Sequence, residues 1–480
     1  MITARIQSIR RDHAFLKKTI LLAGPVAIQG FLNNILNMID SLMIGSLGET
    51  PIAAVGLANK VFFVFSLLCF GICSGSGVLS SQYWGTKDIK SMKKILGISL
   101  IFGVIGSFII AIPSILAPQM VMRIFTPNQE TIMIGASYLG IVAFSYPINA
   151  ISQCYITILR SMNQVKIPVI ISFLSLFVNA GINYVLIFGK FGMPQLGAPG
   201  AAIGTLVARS FECLAILAVL HIQRHALVGK ITELFCLESR FVMRFIRTAL
   251  PVIANEFMWG LGVTMYSLVK NKIQKRRKRI FGLGVTMYSL VYGRMGDNAV
   301  AAITITQTFE QLFSVVFQSI SASTAVILGN ELGAGRLHKA EEYAKNFMFM
   351  QVVLTIFVGS ILYFMRWPII SLYNVTPTVG RYVALCFISF ICYMPSKMFN
   401  YVNIVGVLRS GGDTISCLIL DTTGVWCLGI PMAVLGGLIL KAPIYIVYAM
   451  VLSEEIYKTI FGFLRYKKKK WLCNLVMQEE

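Results

Sequence analysis

Long stretches without a charged side chain dominate this sequence and constrain its fold more than any other feature. Seven windows contain no Asp, Glu, Lys or Arg: 19–39, 61–86, 95–122, 131–159, 167–189, 346–365 and 422–440. Five more appear when one to three charges are allowed: 198–222, 248–269, 298–330, 382–408 and 442–464. A helix needs about 20 apolar residues to cross the ~30 Å hydrocarbon layer of a bilayer. The sequence therefore predicts an all-α integral membrane protein with twelve transmembrane helices.

The charge content supports this prediction and places the loops. Hydrophobic residues make up 56% of the chain and charged residues 13%, against roughly 25% charged residues in soluble domains. The net charge of +22 comes from 42 Lys and Arg against 20 Asp and Glu. Basic residues concentrate in alternate loops, which predicts cytoplasmic loops and two cytoplasmic termini. We therefore expect a multi-pass protein of the plasma (inner) membrane, with the lipid bilayer and not nucleic acid as its surroundings.

The two halves of the sequence resemble each other. AGPV at 23–26 matches ALPV at 249–252 with an offset of 226, and IGSLGE at 44–49 matches YGRMGD at 292–297 with an offset of 248. Pro147 and Pro395 also lie 248 residues apart. Two repeats of six helices in the same orientation predict two bundles about an axis along the membrane normal, with a central cavity.

The predicted domain organisation follows from this repeat. We expect an N-terminal six-helix bundle (1–222), a cytoplasmic linker (223–247), a C-terminal six-helix bundle (248–466) and a basic cytoplasmic tail (467–480).

A duplicated segment interrupts the second repeat. GLGVTMYSLV at 260–269 recurs letter for letter at 282–291, and the segment between carries seven of the 42 basic residues. Each such charge costs roughly 2.5–3.5 kcal/mol at the centre of a membrane helix. We interpret 270–291 as a tandem duplication or an assembly error in the seventh span. A polybasic loop that binds lipid headgroups is the alternative.

Polar residues inside the apolar spans are the candidate functional residues, because a bilayer makes them costly. Asn33, Asn37 and Asp40 follow one another at helical spacing and should share one face of the first span. Pro25 lies earlier in that span, where it frees a carbonyl group and can act as a hinge. The alternative is that Asp40 lies at the outer interface and only faces water.

Further amides and hydroxyls recur at helical spacing in later spans: Tyr138, Asn149, Gln153, Asn179, Asn183 and Thr205. Together with Asp40 they could line one cavity, although such amides also serve as hydrogen-bonding contacts between helices. Arg209 and Glu212 lie three residues apart and predict an internal ion pair.

The second half offers a different set of acids. Glu256 follows Pro251, a second candidate hinge, in an apolar run without a basic neighbour, and is a candidate functional carboxylate. For Glu310 and Asp421 both a functional role and an internal hydrogen-bonding role stay open. Glu454 and Glu455 lie near Lys458, and we expect a structural role for them.

Six segments resemble the multidrug and toxic compound extrusion (MATE) family. They are MIDSLMIG at 38–45, SQYWGTKD at 81–88, LRS at 159–161, LIFG at 186–189, GAAI at 200–203 and LRSGGD at 408–413. The resemblance implies a V-shaped pair of six-helix bundles that expels cationic, amphiphilic compounds in exchange for H⁺ or Na⁺. It also implies a coupling role for Asp40, with Asn179 as an amide partner.

The sequence departs from the family pattern at three places. Asn183 stands where some members carry an acid, and Glu256 lies one turn closer to the proline than the corresponding acid. The span 382–408 contains no Asp or Glu, although Na⁺-coupled relatives place one there. We therefore expect ion coupling at Asp40, Asn179, Asn183 and Glu256, with a Na⁺ site at Asp40 left open.

The predicted function is secondary antiport of small organic cations by a monomer without a cofactor. A flippase for lipid-linked oligosaccharides of the same superfamily is the alternative, but its pyrophosphate cargo would favour basic residues. A membrane-embedded enzyme would need a convergent catalytic group, and the four dispersed His argue against one.

Overall fold

The computed structural model describes residues 12–229, 231–234, 238–273, 288, 291–292, 295–371, 373 and 375–477. Over these residues the regular structure is helical. The helices are α1 (His13–Gly45), α2 (Glu49–Gly85), α3 (Ile89–Leu116), α4 (Pro118–Phe125), α5 (Gln129–Val142), α6 (Ser145–Ser161), α7 (Lys166–Phe188), α8 (Ala198–Ile222), α9 (Ile231–Leu234), α10 (Ser239–Ile273), α11 (Asp297–Gly333), α12 (Leu337–Ser371), α13 (Pro377–Asn400), α14 (Thr414–Thr423), α15 (Ile430–Val434) and α16 (Ile444–Lys467). Most of the predicted insert, 274–287 and 289–290, lies outside the described residues.

The helices have the lengths and the surfaces that a bilayer requires. Within the described chain nine spans are long and apolar enough to cross a membrane, and α5 with α6 makes a tenth if the bent pair is one span. π-Helical segments extend α13 to Leu408 and join α14 and α15 into one span that ends at Ile439. The other two predicted spans lie on α10 and α16. Large apolar side chains such as Leu116 (79% exposed) and Phe364 (76% exposed) point away from the protein interior, as on surfaces that face lipid. The prediction of an all-α membrane protein is confirmed.

Two of the predicted spans are interrupted. The window 95–122 is divided at Ala117 into α3 and α4, because α4 begins with Pro118, which cannot continue the hydrogen bonds of α3. The window 131–159 is bent by 46° between α5 and α6. There Pro147 lacks an N–H group, and the Ser145 hydroxyl donates to the carbonyl of Val142 at 2.6 Å.

The backbone reproduces the internal repeat. Helix α2 runs from Glu49 to Gly85 and α11 from Asp297 to Gly333, so both ends differ by the predicted offset of 248. Gly48 (φ 118°) and Gly296 (φ 100°) precede the two helices in the region of positive φ. Glycine adopts this conformation without the steric cost that other residues meet.

The chain forms two compact units, and the boundary between them falls within two helices, α1 and α10. The N-terminal unit is Ile28–Phe257, and the C-terminal unit joins Met1–Ala27 to Ile280–Glu480. Of the rest of α10, Met258–Tyr266 belongs to the C-terminal unit and the following residues to the N-terminal unit. The division therefore departs from the predicted boundaries, because α1 and α10 each belong to both units.

Packing explains this exchange of helix segments. Phe15 of α1 packs in the C-terminal unit, with ring centroids 4.9 Å from Tyr343 and 4.8 Å from Phe347. Gly75 of α2 lies so close to Ala249 of α10 that a Cβ atom on the glycine would be 2.5 Å from the Ala249 Cβ. The first part of each helix thus packs within the other repeat.

Ion pairs hold the predicted linker and part of the predicted tail. After α8, Glu233 of α9 binds Lys93 at 2.8 Å. After α16, Lys469 binds Glu341 at 2.8 Å and Trp471 is fully buried. Each connection lies against a helix of its own unit. The linker supplies the acid of its ion pair and the tail supplies the base.

Candidate functional site

Asp40 lies in the N-terminal unit, five residues before the end of α1, and its carboxylate accepts a hydrogen bond from an amide. The Nδ2 atom of Asn183 on α7 donates to Oδ1 of Asp40 at 3.0 Å. The same Nδ2 donates to Oδ1 of Asn179, one turn earlier, at 3.2 Å. An amide nitrogen carries two protons and can make both bonds. Asn183 is 1% exposed, so its side chain is fixed in the protein interior.

Hydroxyl groups on two further helices extend this cluster. Nδ2 of Asn179 lies 3.5 Å from Oγ1 of Thr205 on α8, and the Thr205 hydroxyl donates to the carbonyl of Ala201 at 3.0 Å. Tyr138 on α5 faces Thr205 and lies within electrostatic range of Asp40. We call Asp40, Tyr138, Asn179, Asn183 and Thr205 the Asp40 cluster; four helices of one unit contribute to it.

Two glycines on α8 bring α7 and α8 close enough to position Asn183. A Cβ atom on Gly200 would lie 2.8 Å from the backbone of Leu186, and one on Gly204 would collide with the Asn183 side chain. Glycines four residues apart allow helix backbones to approach closely in membranes. The segment 200–204 (GAAIG) therefore fixes the amide that binds Asp40.

One member of this neighbourhood was not predicted from the sequence. Asn59 on α2 accepts a hydrogen bond from the Tyr138 hydroxyl at 3.4 Å. Its signal in the sequence is an amide within an apolar helix, but the adjacent Lys60 made the segment look like a loop.

The structure leaves the other predicted cavity residues outside the hydrogen bonds described for the Asp40 cluster. Asn33 is half-buried on α1, whereas Asn37 is exposed. Asn149 on α6 is 5% exposed, and its Oδ1 atom has no partner among the described residues. Gln153 lies half-buried one turn later. Their predicted roles stay predictions.

The predicted hinge residues and Glu256 lie inside long helices. Pro25 is an interior residue of α1, two residues before the division between the units, and Pro251 is an interior residue of α10. Glu256 is half-buried on α10, in the N-terminal unit that also contains Asp40.

The predicted ion pair on α8 is confirmed. Nη1 of Arg209 lies 3.2 Å from Oε2 of Glu212, which is 2% exposed. The hydroxyl of Ser172 on α7 donates to the other oxygen of Glu212 at 2.6 Å. Glu212 therefore serves packing between α7 and α8.

Carboxylates of the C-terminal unit bind lysines. Glu310 on α11 forms an ion pair with Lys397 on α13 and accepts a hydrogen bond from the Tyr448 hydroxyl on α16 at 2.6 Å. Glu454 binds Lys458 at 3.2 Å. Tyr288 donates its hydroxyl to Glu454 at 2.7 Å.

Comparison with known proteins assigns the chain to a family. The MatE family model matches residues 25–185 and 282–435. This chain belongs to the MatE family. The second match begins at Gly282, which is the first residue of the second copy of the duplicated segment.

Relatives and solved structures agree with this assignment. The chain is 24% identical to the multidrug resistance protein PmpM of Pseudomonas aeruginosa over 89% of this chain and 85% of that protein. It is 22% identical to the probable multidrug resistance protein NorM of Thermotoga maritima, covering 97% of this chain and 95% of that protein. A crystal structure of a mutant of the MATE transporter VcmN of Vibrio cholerae has the same fold, with a TM-score of 0.83 and 17% identity over 95% of this chain and 97% of that chain.

Family membership establishes the class of function. The chain is a multi-pass membrane transporter of the MATE efflux family and not an enzyme. The predicted fold and its resemblance to the family are confirmed.

Proposed function

We propose that this MATE family member is a secondary antiporter that exports cationic, amphiphilic compounds in exchange for H⁺ or Na⁺. Asp40 is the carboxylate to which cargo and coupling ion bind in turn. The observation that carries this proposal is the hydrogen bond from the Asn183 amide to Asp40 at 3.0 Å. An amide holds a carboxylate in place without cancelling its charge, and a carboxylate held in this way can bind a cation.

The membrane environment makes this charge costly until a cation neutralises it. An acidic residue costs roughly 2.5–3.5 kcal/mol at the centre of a membrane helix on insertion scales, and this is an upper limit for Asp40 near the end of α1. A proton, a Na⁺ ion or an organic cation each relieves that cost, but one carboxylate cannot hold two of them. Binding of the coupling ion therefore expels the cargo, and binding of the cargo expels the ion.

Neighbouring residues suit an organic cation and a moving helix. Tyr138 places an aromatic ring close to Asp40, and ring faces attract organic cations. Pro25 lies within α1 and removes one backbone hydrogen bond there. We propose that neutralising Asp40 allows α1 to bend at Pro25.

The cargo class is carried over from the relatives, among which PmpM is named a multidrug resistance protein. The proposal includes a plasma-membrane location, cytoplasmic termini and a monomeric transporter without a cofactor. Lipid-linked oligosaccharides are not favoured as cargo, because the Asp40 cluster consists of an acid, amides and hydroxyls, which offer a pyrophosphate no positive charge.

The test is efflux of ethidium from cells that lack their own pumps. Asp40→Asn keeps the size of the side chain and its hydrogen bond but removes the charge, so we expect normal expression and no efflux. Asp88→Asn is the matched control: Asp88 caps α3 by accepting from the Ser91 N–H at 3.1 Å, and Asn is an equally good cap. Full efflux by Asp40→Asn would overturn the proposal. Parallel assays with and without Na⁺ identify the coupling ion.

A further inference from the structure

The ion pair between Glu310 and Lys397 places a positive charge inside the C-terminal unit. Charged side chains are rare within membrane spans because burying them is costly. Both residues lie on helices that are long and apolar enough to cross the bilayer. The Lys397 side chain is 18% exposed and that of Glu310 is 13% exposed. A lysine in this environment must be paired, because an unpaired ammonium group is costly in the membrane.

The surroundings of the pair are those of a cation site. Tyr448 donates to the second oxygen of Glu310 at 2.6 Å, and Tyr401 and Glu455 lie within electrostatic range of Lys397. A carboxylate with aromatic neighbours is the combination that recognises organic cations. Here the ammonium group of Lys397 fills that position itself.

The internal repeat shows that this cation is particular to the second half. At the offset that aligns Pro147 with Pro395, Lys397 corresponds to Asn149. The first half thus has an amide where the second half has an ammonium group. Asp40 in the N-terminal unit is in contact with an amide, and Glu310 in the C-terminal unit is in contact with a lysine.

We propose that Glu310 and Tyr448 form a second, latent binding site for a monovalent organic ammonium ion, and that Lys397 occupies it as a tethered cation. The C-terminal unit consequently takes up no cargo at Glu310, and each transport cycle carries one cation, at Asp40. The limit of one cation rests on the proposed function; the tethered cation does not.

Chemical rescue tests the occupied site directly. Lys397→Ala removes the ammonium group and leaves space for n-propylammonium. We expect n-propylammonium chloride to raise the Tm of purified Lys397→Ala above its value in NaCl of equal ionic strength, and to leave the wild-type Tm unchanged. Glu310→Gln/Lys397→Ala, which lacks the carboxylate, should not respond. An equal response by this double variant, or no response by Lys397→Ala, would contradict the proposal.

Loss of the ion pair can also prevent folding, and this outcome is informative as well. Recovery of monodisperse Lys397→Ala only when n-propylammonium is present supports the tethered cation. If Lys397→Ala is recovered in neither buffer while the double variant is recovered in both, an added amine cannot replace the lysine and the proposal is wrong.

Rescue in the Asp40→Asn background separates this proposal from the proposed function. Asp40→Asn alone should lose tetraphenylphosphonium binding, whereas Asp40→Asn/Lys397→Ala should still gain Tm from n-propylammonium. Adding Glu310→Gln should abolish this gain. If Asp40→Asn still binds tetraphenylphosphonium, the role of Asp40 fails while the rescue by n-propylammonium still tests Lys397. If Asp40→Asn loses binding and Asp40→Asn/Lys397→Ala does not respond to n-propylammonium, the latent site fails and the role of Asp40 stands.

Discussion

Asp40 in the N-terminal unit and Glu310 in the C-terminal unit contact partners of different charge. In the N-terminal unit Asp40 accepts a hydrogen bond from the Asn183 amide at 3.0 Å. In the C-terminal unit Glu310 binds Lys397, and Glu454 binds Lys458 at 3.2 Å. An amide leaves the charge of a carboxylate in place, whereas a lysine cancels it. One fold, used twice, can therefore keep one acid for exchange with cations and use the other for internal pairing.

Single positions of the repeat account for this difference. At the offset of 248, Asp40 corresponds to Tyr288 and Asn149 corresponds to Lys397. Tyr288 donates its hydroxyl to Glu454 at 2.7 Å, so the second half has a hydrogen-bond donor where the first half has its acid. The change from acid to phenol removes a negative charge, and the change from amide to lysine adds a positive one, so each of these positions is more positive in the second half.

Replacing Glu310 and Asp40 in separate variants should give the largest difference in stability between the two units. Glu310→Gln leaves Lys397 without its counter-charge, and breaking a buried pair costs about 3–5 kcal/mol of stability. Asp40→Asn keeps an oxygen that accepts the hydrogen bond from the Asn183 amide, so we expect a change below about 1 kcal/mol. Thermal unfolding of the purified variants measures both. The double variant Glu310→Gln/Lys397→Met should recover most of the loss, and equal losses for the two single variants would contradict the contrast.

The close approach of α8 to α7 gives a smaller effect, confined to the N-terminal unit. Gly204→Ala places a Cβ atom against the Asn183 side chain, and overpacking of this kind costs about 1–3 kcal/mol. We expect a lower Tm together with weaker ethidium efflux, because Asn183 is displaced from Asp40. Gly181→Ala on α7 is the control, since nothing lies within 4 Å of its Cβ position. Efflux that is unchanged by Gly204→Ala would show that the position of Asn183 does not matter.

Deleting residues 270–291 should have the smallest effect on transport. The deletion joins Val269 to Tyr292 and restores one offset of 226 between the halves, and the identical copy supplies Tyr266 in place of Tyr288. We expect the shortened protein to retain ethidium efflux at the level of the full chain or above it. Loss of efflux with normal expression would instead favour the polybasic loop as a functional element.

Periodicity and charge predicted much of the fold and part of the site. The charge-free windows located the helices, because a helix satisfies its backbone hydrogen bonds within the bilayer. The spacing of Asn179 and Asn183 placed both amides on one face of α7. The breaks at Ala117 and between α5 and α6 were missed, although Pro118 and Pro147 signal them. Both prolines lie inside charge-free windows. Because a membrane helix tolerates proline, neither residue by itself predicts a break.

Contacts between distant helices could not be predicted in this way. The partners Asp40 and Asn183 lie 143 residues apart in the sequence, and Glu310 and Lys397 lie 87 apart. Helical spacing shows which residues share a face but not which faces meet. The ion pair of Arg209 with Glu212 was predicted because its two residues lie one turn apart on the same helix.

Competition for binding to the purified wild-type protein tests the exchange at Asp40 most directly. The Kd for tetraphenylphosphonium is measured by titration across a series of pH values and Na⁺ concentrations. If H⁺ or Na⁺ shares the Asp40 carboxylate with the cargo, the apparent Kd rises linearly with the concentration of that ion, and Asp40→Asn binds tetraphenylphosphonium too weakly to titrate. A Kd that stays constant over the whole series would contradict the account.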